Sequence, residues 1–441
     1  MSNQISIEEA LKSAVDTKSL AIGEGILTRS AEIFIKEFPG SSKVAIVADN
    51  NTFRAAGREV VDIFTAKKIN QEEPFIFSDP NLYADYKYVE NLIDFLNKTE
   101  AIPIAVGSGV INDIVKLASS KTNRRYFCIA SAASMDGYTA YGASMTIDGK
   151  KQTVSCPAPK ACLVDINVIR NAPKELTASG YGDLFAKIPA GADWILADAL
   201  GEEKIDVKAW NIVQGSLHNS LSDPRGLAAG DKKPVSDLIT GLIMGGFAMQ
   251  YYRSSRPASG AEHQFSHLWS MEHLKYKGRD ISHGFQAAVG TIAVSALYES
   301  LLRFPVEKID IERAVKIWKT KEDFMTLAQE IFKDTDFKDL CIAESAAKWI
   351  EPSRLKIQLQ TFKDSWGILK KKIAEQLLPV DEIKKRFEII GTPYKPAHIG
   401  IDEAYLKRSF LRAFFIRRRF TVLDLCLRAG ILDEIAENLK F

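Results

Sequence analysis

The sequence has few cysteines and no excess of either charge. There are five cysteines, an odd number, and no two of them form a C-x2-C pair. They are Cys128, Cys156, Cys162, Cys341 and Cys426. No disulfide framework is indicated, so we expect reduced core thiols in a cytoplasmic protein. Lys and Arg number 58 against 56 Asp and Glu, a net charge of +2. Composition therefore gives no argument for binding to nucleic acid or to an anionic membrane.

The sequence also lacks long apolar runs and a leader-like start. No uninterrupted apolar run approaches 20 residues, and the first residues combine no basic segment with an apolar one. We therefore predict neither secretion nor a membrane span. Internal repeats are not evident. At 441 residues, with 46% hydrophobic and 26% charged residues, the chain is long enough for two globular domains.

Strands and helices alternate in the first part of the chain. Buried strands are predicted at residues 43–49, 102–106, 126–130 and 161–165, with helices between them and a hairpin near 143–155. This order predicts a parallel sheet that is covered by helices on both faces.

Beyond about residue 173 the periodicity is almost entirely helical. We therefore predict a nucleotide-binding α/β domain over residues 1–172 and an all-α domain over residues 173–441, with a site in the cleft between them. The segment 306–379 of the helical part is long and rich in charge, and the sequence gives it no role.

Four of the six histidines fall in one short window, at His263, His267, His273 and His283. In a helix over residues 261–273, His263 and His267 are four residues apart and share one face. His283 follows a polar break and opens a second helix. Each histidine by itself could be an ordinary surface or core residue. The pair and the later histidine together indicate a metal or proton-transfer site.

A glycine-rich junction follows the strand at 102–106. Gly107, Ser108 and Gly109 lead directly into a helix, where backbone N–H groups and the helix field favour a pyrophosphate. Asp49 ends another strand, where a carboxylate can accept hydrogen bonds from a ribose and repel a 2′-phosphate. A plain βα turn and a helix N-cap are the alternative interpretations.

Several motifs occur together in the order found in one enzyme family. The chain resembles the sn-glycerol-1-phosphate dehydrogenases, including the bacterial branch found beside arabinose-utilisation genes, within the superfamily of metal-dependent alcohol dehydrogenases and 3-dehydroquinate synthases. The resemblance rests on residues 49–57, 107–113, 134–138, 182–187, 192–194, 262–267 and 419–424.

The resemblance implies roles for individual residues. A divalent ion, zinc or nickel with iron as a further option, is expected on Asp183, His263 and His283. His267 is expected to take part in proton transfer, and Asp136 to contact the substrate. Residues expected to bind NAD, and possibly NADP, are Asp49, Gly107, Ser108, Gly109, Asn112, Asp113, Ser131 and Ser134. A homodimer and a dehydroquinate synthase-like fold are also implied.

The predicted reaction interconverts dihydroxyacetone phosphate and sn-glycerol 1-phosphate. Glycerol or another alcohol is an alternative substrate, and a dehydroquinate synthase-like cyclase is a further alternative. A phosphorylated substrate needs cationic groups near the metal. Lys187 is the candidate on the Asp183 helix, with Arg253 and Arg256 as candidates before the histidine helix.

Overall fold

The computed structural model describes residues 5–147 and 149–441. The chain forms two compact units, one of Met1–Leu184 with Lys208–Ser255 and one of Phe185–Val207 with Arg256–Phe441. The first unit thus continues past the boundary predicted near residue 172 and takes in a later segment. The nucleotide-binding and metal-binding roles of the two predicted domains stay predictions.

The first unit contains the predicted parallel sheet. Its seven strands run in the order β1-β9-β6-β5-β2-β3, with β4 also paired to β2, and every pairing is parallel. The strands are β1 Ser19–Gly23, β2 Lys43–Asp49, β3 Asn70–Gln71, β4 Phe75–Phe77, β5 Ile102–Gly107, β6 Phe127–Ala130, β7 Ala143–Ile147, β8 Lys150–Val154, β9 Ala161–Asp165, β10 Lys275–Tyr276 and β11 Arg279–Asp280. The predicted hairpin is present as the antiparallel pair β7 and β8.

The remaining regular structure is helical. The described α-helices are α1 Ile7–Ser13, α2 Ser30–Glu37, α3 Asn50–Thr52, α4 Arg58–Ala66, α5 Tyr86–Leu96, α6 Gly109–Lys121, α7 Ile166–Arg170, α8 Lys174–Phe185, α9 Lys187–Ala199, α10 Val207–Ser220, α11 Pro224–Ala229, α12 Lys232–Tyr252, α13 Ala261–Met271, α14 His283–Arg303, α15 Ile311–Ile317, α16 Lys321–Ile331, α17 Lys338–Lys348, α18 Pro352–Gln376, α19 Val380–Ile390, α20 Glu403–Phe415, α21 Val422–Arg428 and α22 Leu432–Glu437. A π-helical turn, Phe53–Gly57, joins α3 to α4.

The sheet reverses its winding direction between β2 and β5. The chain passes from β2 to β4 on one side of β2, whereas it passes from β5 to β6 on the other side. In open parallel sheets, ligands bind at the carboxyl ends of the strands beside such a switch point. Asp49 ends β2 and Gly107 ends β5, so both predicted nucleotide-binding positions flank this point.

A buried lysine holds the loop that follows β6. Lys116 on α6 is 1% exposed. Its Nζ donates to the carbonyl oxygens of Gly137, Ala140 and Gly142 at 2.8, 3.1 and 3.0 Å and lies 3.4 Å from Asp113 Oδ1. These contacts compensate for burial of the ammonium charge and fix residues 137–142 against the helix.

All five cysteines are buried and none is in a disulfide, as the sequence predicts. Burial raises the pKa of Cys156 to about 11 and that of Cys341 to about 12. Both groups are therefore thiols at neutral pH, and the thiol is much less nucleophilic than the thiolate.

One helix of the second unit is long and apolar. By length and composition α14 could cross a membrane, but 78% of its most apolar window is buried inside the structure. A single helix of this kind is weak evidence for a span, and the core helices of globular proteins pass the same test.

Two helical glycines allow a matched test of packing. A Cβ at Gly180 in α8 would lie 2.0 Å from the carbonyl oxygen of Ala133, whereas a Cβ at Gly367 in α18 meets nothing within 4 Å. We expect Gly180→Ala to destabilise the protein by about 1–3 kcal/mol through this clash. The same change at Gly367 should stabilise it by about 0.5–1 kcal/mol, because alanine has the better helix propensity.

Denaturant unfolding of both variants measures the two effects. Equal changes in the free energy of unfolding at the two positions would contradict the packing argument.

Candidate active site

The glycine-rich junction has little space for side chains. A Cβ at Gly107 would lie 2.4 Å from Ile111 Cβ, and one at Gly109 would lie 2.9 Å from Met135 Cε. Ser108 is the N-cap residue of α6 and makes no side-chain cap bond. The first turn of α6 therefore presents backbone N–H groups, and such a helix N-terminus can bind a phosphate.

Asp49 caps the helix that follows β2, which was the alternative interpretation for this residue. Its Oδ1 accepts from the backbone N–H groups of Asn51 and Thr52 at 2.8 and 2.9 Å. Both cap bonds use the same oxygen, and no hydrogen bond to Oδ2 is found within residues 5–147 and 149–441. The N-cap and a ribose contact through Oδ2 are therefore compatible.

Four other predicted nucleotide-binding residues lie mostly inside the protein. Asn112 is fully buried, and its Oδ1 accepts from the Tyr126 hydroxyl at 3.0 Å. Asp113 Oδ2 accepts from the Ser144 N–H at 3.3 Å. Asn112 thus contacts protein through its side chain, and its role toward a nucleotide stays a prediction.

Ser131 and Ser134 are 6% and 8% exposed. Ser131 N–H donates to the Gly107 carbonyl oxygen at 3.0 Å and so ties the ends of β5 and β6 together. Their roles toward the cofactor stay predictions.

Three histidine rings come together where α13 packs against α14. The ring centroids of His263 and His283 are 5.1 Å apart, and the His267 centroid lies 6.4 Å from that of His263 and 5.8 Å from that of His283. His273 instead follows the end of α13 on an exposed turn at φ 53°.

The Asp183 carboxylate lies close to two of the histidines. One ligand atom from each of Asp183, His263 and His283 lies within 4.8 Å of the other two. A buried carboxylate and two imidazoles at this spacing form a donor set that fits a divalent transition metal. Asp183 Oδ2 also accepts from the Asp136 N–H at 2.9 Å, so Asp136 is next to this carboxylate.

Each metal-candidate imidazole has a polar group at Nδ1. Glu262 Oε1 lies 2.7 Å from His263 Nδ1, and Ser266 Oγ lies 3.0 Å from His283 Nδ1. Contacts of this kind orient a ring so that Nε2 faces a metal. The sequence prediction did not include Glu262 and Ser266, although both lie beside the histidines on α13.

A buried aspartate supports the helix that carries His263. Asp193 Oδ2 accepts from Ala261 N–H at 2.7 Å, and Oδ1 accepts from the Tyr298 hydroxyl at 2.6 Å and from Val422 N–H at 2.8 Å. Burial raises the pKa of Asp193 to about 7, and the negative charge of Glu262 adds to this shift. Asp193 thus anchors the N-terminus of α13.

Arg256 is held by contacts inside the protein. This side chain is 1% exposed, and its Nη atoms donate to the carbonyl oxygens of Phe420 and Asp193, both at 3.0 Å. Its Nε lies 3.2 Å from Glu203 Oε2. Arg256 therefore supports the fold around Asp193, and its predicted contact with a substrate phosphate stays a prediction.

The two other cationic candidates have different surroundings. Arg253 ends α12 with φ 56°, and its guanidinium lies over the Tyr141 ring, 4.8 Å from the centroid. Lys187 is fully buried, and it begins α9, whereas Asp183 lies on α8, so the prediction that the two share a helix is wrong.

A different arginine contacts the start of the histidine helix. Arg419 Nη1 donates to the Ser259 carbonyl oxygen at 2.7 Å, and its own carbonyl oxygen accepts from Gln264 Nε2 at 3.3 Å. Burial lowers the pKa of Arg419, and the nearby charges of Arg417 and Arg256 lower it further. The negative charges of Glu203 and Glu262 act on this pKa in the opposite direction.

Comparisons with known proteins indicate the class to which the chain belongs. Residues 21–173 match the family model of iron-containing alcohol dehydrogenases. The fold is similar to a probable glycerol dehydrogenase from Sinorhizobium meliloti, with a TM-score of 0.59, 14% identity, and coverage of 96% of this chain and 98% of that one. An NADH-dependent butanol dehydrogenase from Thermotoga maritima has the same TM-score, at 15% identity and coverage of 96% and 97%.

Relatives found by sequence similarity define the family more closely than the fold does. A glycerol-1-phosphate dehydrogenase [NAD(P)+] of Geobacillus thermodenitrificans is 31% identical over 396 residues, covering 89% of this chain and 88% of the relative. One from Archaeoglobus fulgidus is 38% identical over 198 residues, covering 44% and 55%. The class is thus that of the iron-containing alcohol dehydrogenase superfamily. Within it, the chain belongs to the glycerol-1-phosphate dehydrogenase family.

The candidate metal site gives a direct prediction. We expect His263→Ala, His283→Ala and Asp183→Ala each to lose tightly bound metal, because removing one of three ligands weakens the site strongly. His273→Ala serves as the control, since its exposed ring is outside the cluster. Elemental analysis of the purified proteins measures the effect. Full metal content in the His263→Ala protein would contradict the assignment.

Proposed function

We propose that the chain is an NAD(P)-dependent oxidoreductase that interconverts dihydroxyacetone phosphate and sn-glycerol 1-phosphate. The observation that carries the proposal is the Asp183, His263 and His283 cluster in a chain of the glycerol-1-phosphate dehydrogenase family. The names of its relatives support the substrate and the cofactor.

The proposed site divides binding and chemistry between two groups of residues. Asp183, His263 and His283 would hold a divalent ion, and Gly107, Ser108 and Gly109 with Asp49 would hold the dinucleotide. When both are bound, the ion supplies Lewis acidity to a carbonyl oxygen and the nicotinamide supplies hydride. Zinc, nickel and iron all suit this mixed nitrogen and oxygen donor set.

His267 is the proposed proton-transfer residue. Its ring lies one helical turn beyond His263 and 5.8 Å from the His283 ring, centroid to centroid. An imidazole can give or take a proton near neutral pH, which reduction of a ketone to an alcohol requires. Asp136 and Lys187 stay proposed substrate-site residues, the first supported by its contact with Asp183.

The positive charges around Arg419 support a phosphorylated substrate. Arg419 contacts Ser259, four residues before His263 in the chain, and Arg417 Nη1 is buried with no hydrogen-bond partner among residues 5–147 and 149–441. Guanidinium groups that repel one another are stabilised by a dianion. We therefore propose Arg419 as a phosphate-binding residue.

Assays with and without the phosphate group test the proposed reaction. NADH oxidation should be much faster with dihydroxyacetone phosphate than with dihydroxyacetone, and a chelator should abolish it. Asp49 should make NADH the better cofactor, because its carboxylate repels a 2′-phosphate. Equal turnover of the unphosphorylated ketone would favour a glycerol dehydrogenase. Conversion of a sugar phosphate without net redox change would favour a cyclase.

Neighbouring arginines provide a matched test of the phosphate contact. Arg419→Ala should raise KM for dihydroxyacetone phosphate by roughly 10–100-fold, the value of a charge-assisted hydrogen bond, and should change KM for dihydroxyacetone little. Arg418 pairs with Glu344 and its side chain is 68% exposed, so Arg418→Ala should change neither constant. Equal losses for both ketones in the Arg419→Ala protein would contradict a phosphate contact.

The remaining expectations concern the setting of the enzyme. A homodimer in the cytoplasm, with small-molecule partners and no nucleic acid or membrane, is the arrangement we propose. The cysteines, which are buried and form no disulfide, support the cytoplasmic setting, and the homodimer rests on the family resemblance.

A further inference from the structure

Glu262 has an unusual environment for a carboxylate. It is fully buried, and its Oε1 both accepts from the Gly260 N–H at 2.7 Å and lies 2.7 Å from His263 Nδ1. Its Oε2 is buried and has no hydrogen-bond partner in the described part of the chain. A buried carboxylate with an unsatisfied oxygen is costly, which suggests a role beyond packing.

The contact fixes the chemical state of the His263 ring. An ionised carboxylate only accepts hydrogen bonds, so the facing Nδ1 must carry the hydrogen. The neutral ring then has its lone pair on Nε2, the form that binds a metal. Loss of the carboxylate would permit the other tautomer and free rotation about χ2.

Two glycines allow the backbone to approach Glu262 closely. A Cβ at Gly260 would lie 2.8 Å from Glu262 Oε2 and 2.5 Å from Asp193 Oδ2, and a Cβ at Gly290 would lie 2.5 Å from the Glu262 carbonyl oxygen. The backbone thus approaches Glu262 closely from α14 and from the residue before α13.

We propose that Glu262 is the positioning residue of the metal site, which sets the tautomer and orientation of His263 and raises its affinity for a divalent ion. The inference rests on the proposed metal-binding role of His263. A carboxylate behind a metal-binding imidazole increases the basicity of the ring as well as ordering it. The alternative is that Glu262 only caps the Gly260 N–H.

Metal affinity separates these two roles. Zn²⁺ dissociation constants are measured on the metal-stripped full-length protein, by competition with a chromophoric chelator, for wild type, Glu262→Gln and Glu262→Ala. We expect roughly 10–100-fold weaker binding for Glu262→Ala, with a smaller loss for Glu262→Gln because its amide oxygen still accepts from Nδ1–H. Thermal unfolding of the metal-free proteins reports the structural cost separately.

Glu272 is the matched control. It follows α13, and its carboxylate binds Arg412 and Tyr405 instead of a histidine. Glu272→Gln should lower the unfolding temperature and leave the Zn²⁺ constant unchanged. If Glu262→Gln also keeps the wild-type constant, the positioning role is wrong. If wild type itself binds no Zn²⁺, the proposed metal site fails instead. If Glu262→Ala does not fold, the nearly isosteric glutamine variant decides.

Discussion

The carboxylate of Asp193 is the contact on which the proposed metal-binding histidine depends. It accepts from the first N–H of α13 and the first N–H of α21, and from the hydroxyl of Tyr298 on α14. A negative charge at a helix N-terminus is favourable, and here one residue serves two termini. Because His263 is only two residues beyond Ala261, its position relative to His283 on α14 follows from this one buried group.

The sheet could be predicted because its strands are short apolar runs with clear ends. The predicted strands at 43–49 and 161–165 match β2 and β9 at both ends. The two-residue strand β3 carries no hydrophobic pattern and was missed. The return of the segment Lys208–Ser255 to the first unit depends on contacts such as Gln250 with Thr17, which are 233 residues apart. Local patterns contain no information about such a pairing.

The proximity of His263 and His267 was predicted from their spacing, since a helical i, i+4 pair shares one face, whereas the grouping of His283 with Asp183 came from the family resemblance. The same reasoning did not predict the contacts of the arginines. Arg256 lies in a polar stretch of sequence, but its side chain is buried and donates to the carbonyl oxygen of Phe420, 164 residues later. Arg419 contacts the same region from the far end of the chain. The contacts of both arginines are decided by tertiary structure and not by neighbours in sequence.

The pairing of β1 with β9 affects how the protein is made. Ser19 lies beside Ala161, so the first strand has no partner in the sheet until the last strand has been synthesised. At roughly 5–20 residues per second, the ribosome needs on the order of 10 s to cover that interval. Gln250, which holds the segment before β1, is made later still. The nascent chain therefore exposes apolar strand residues for a long period, during which a chaperone would compete with aggregation.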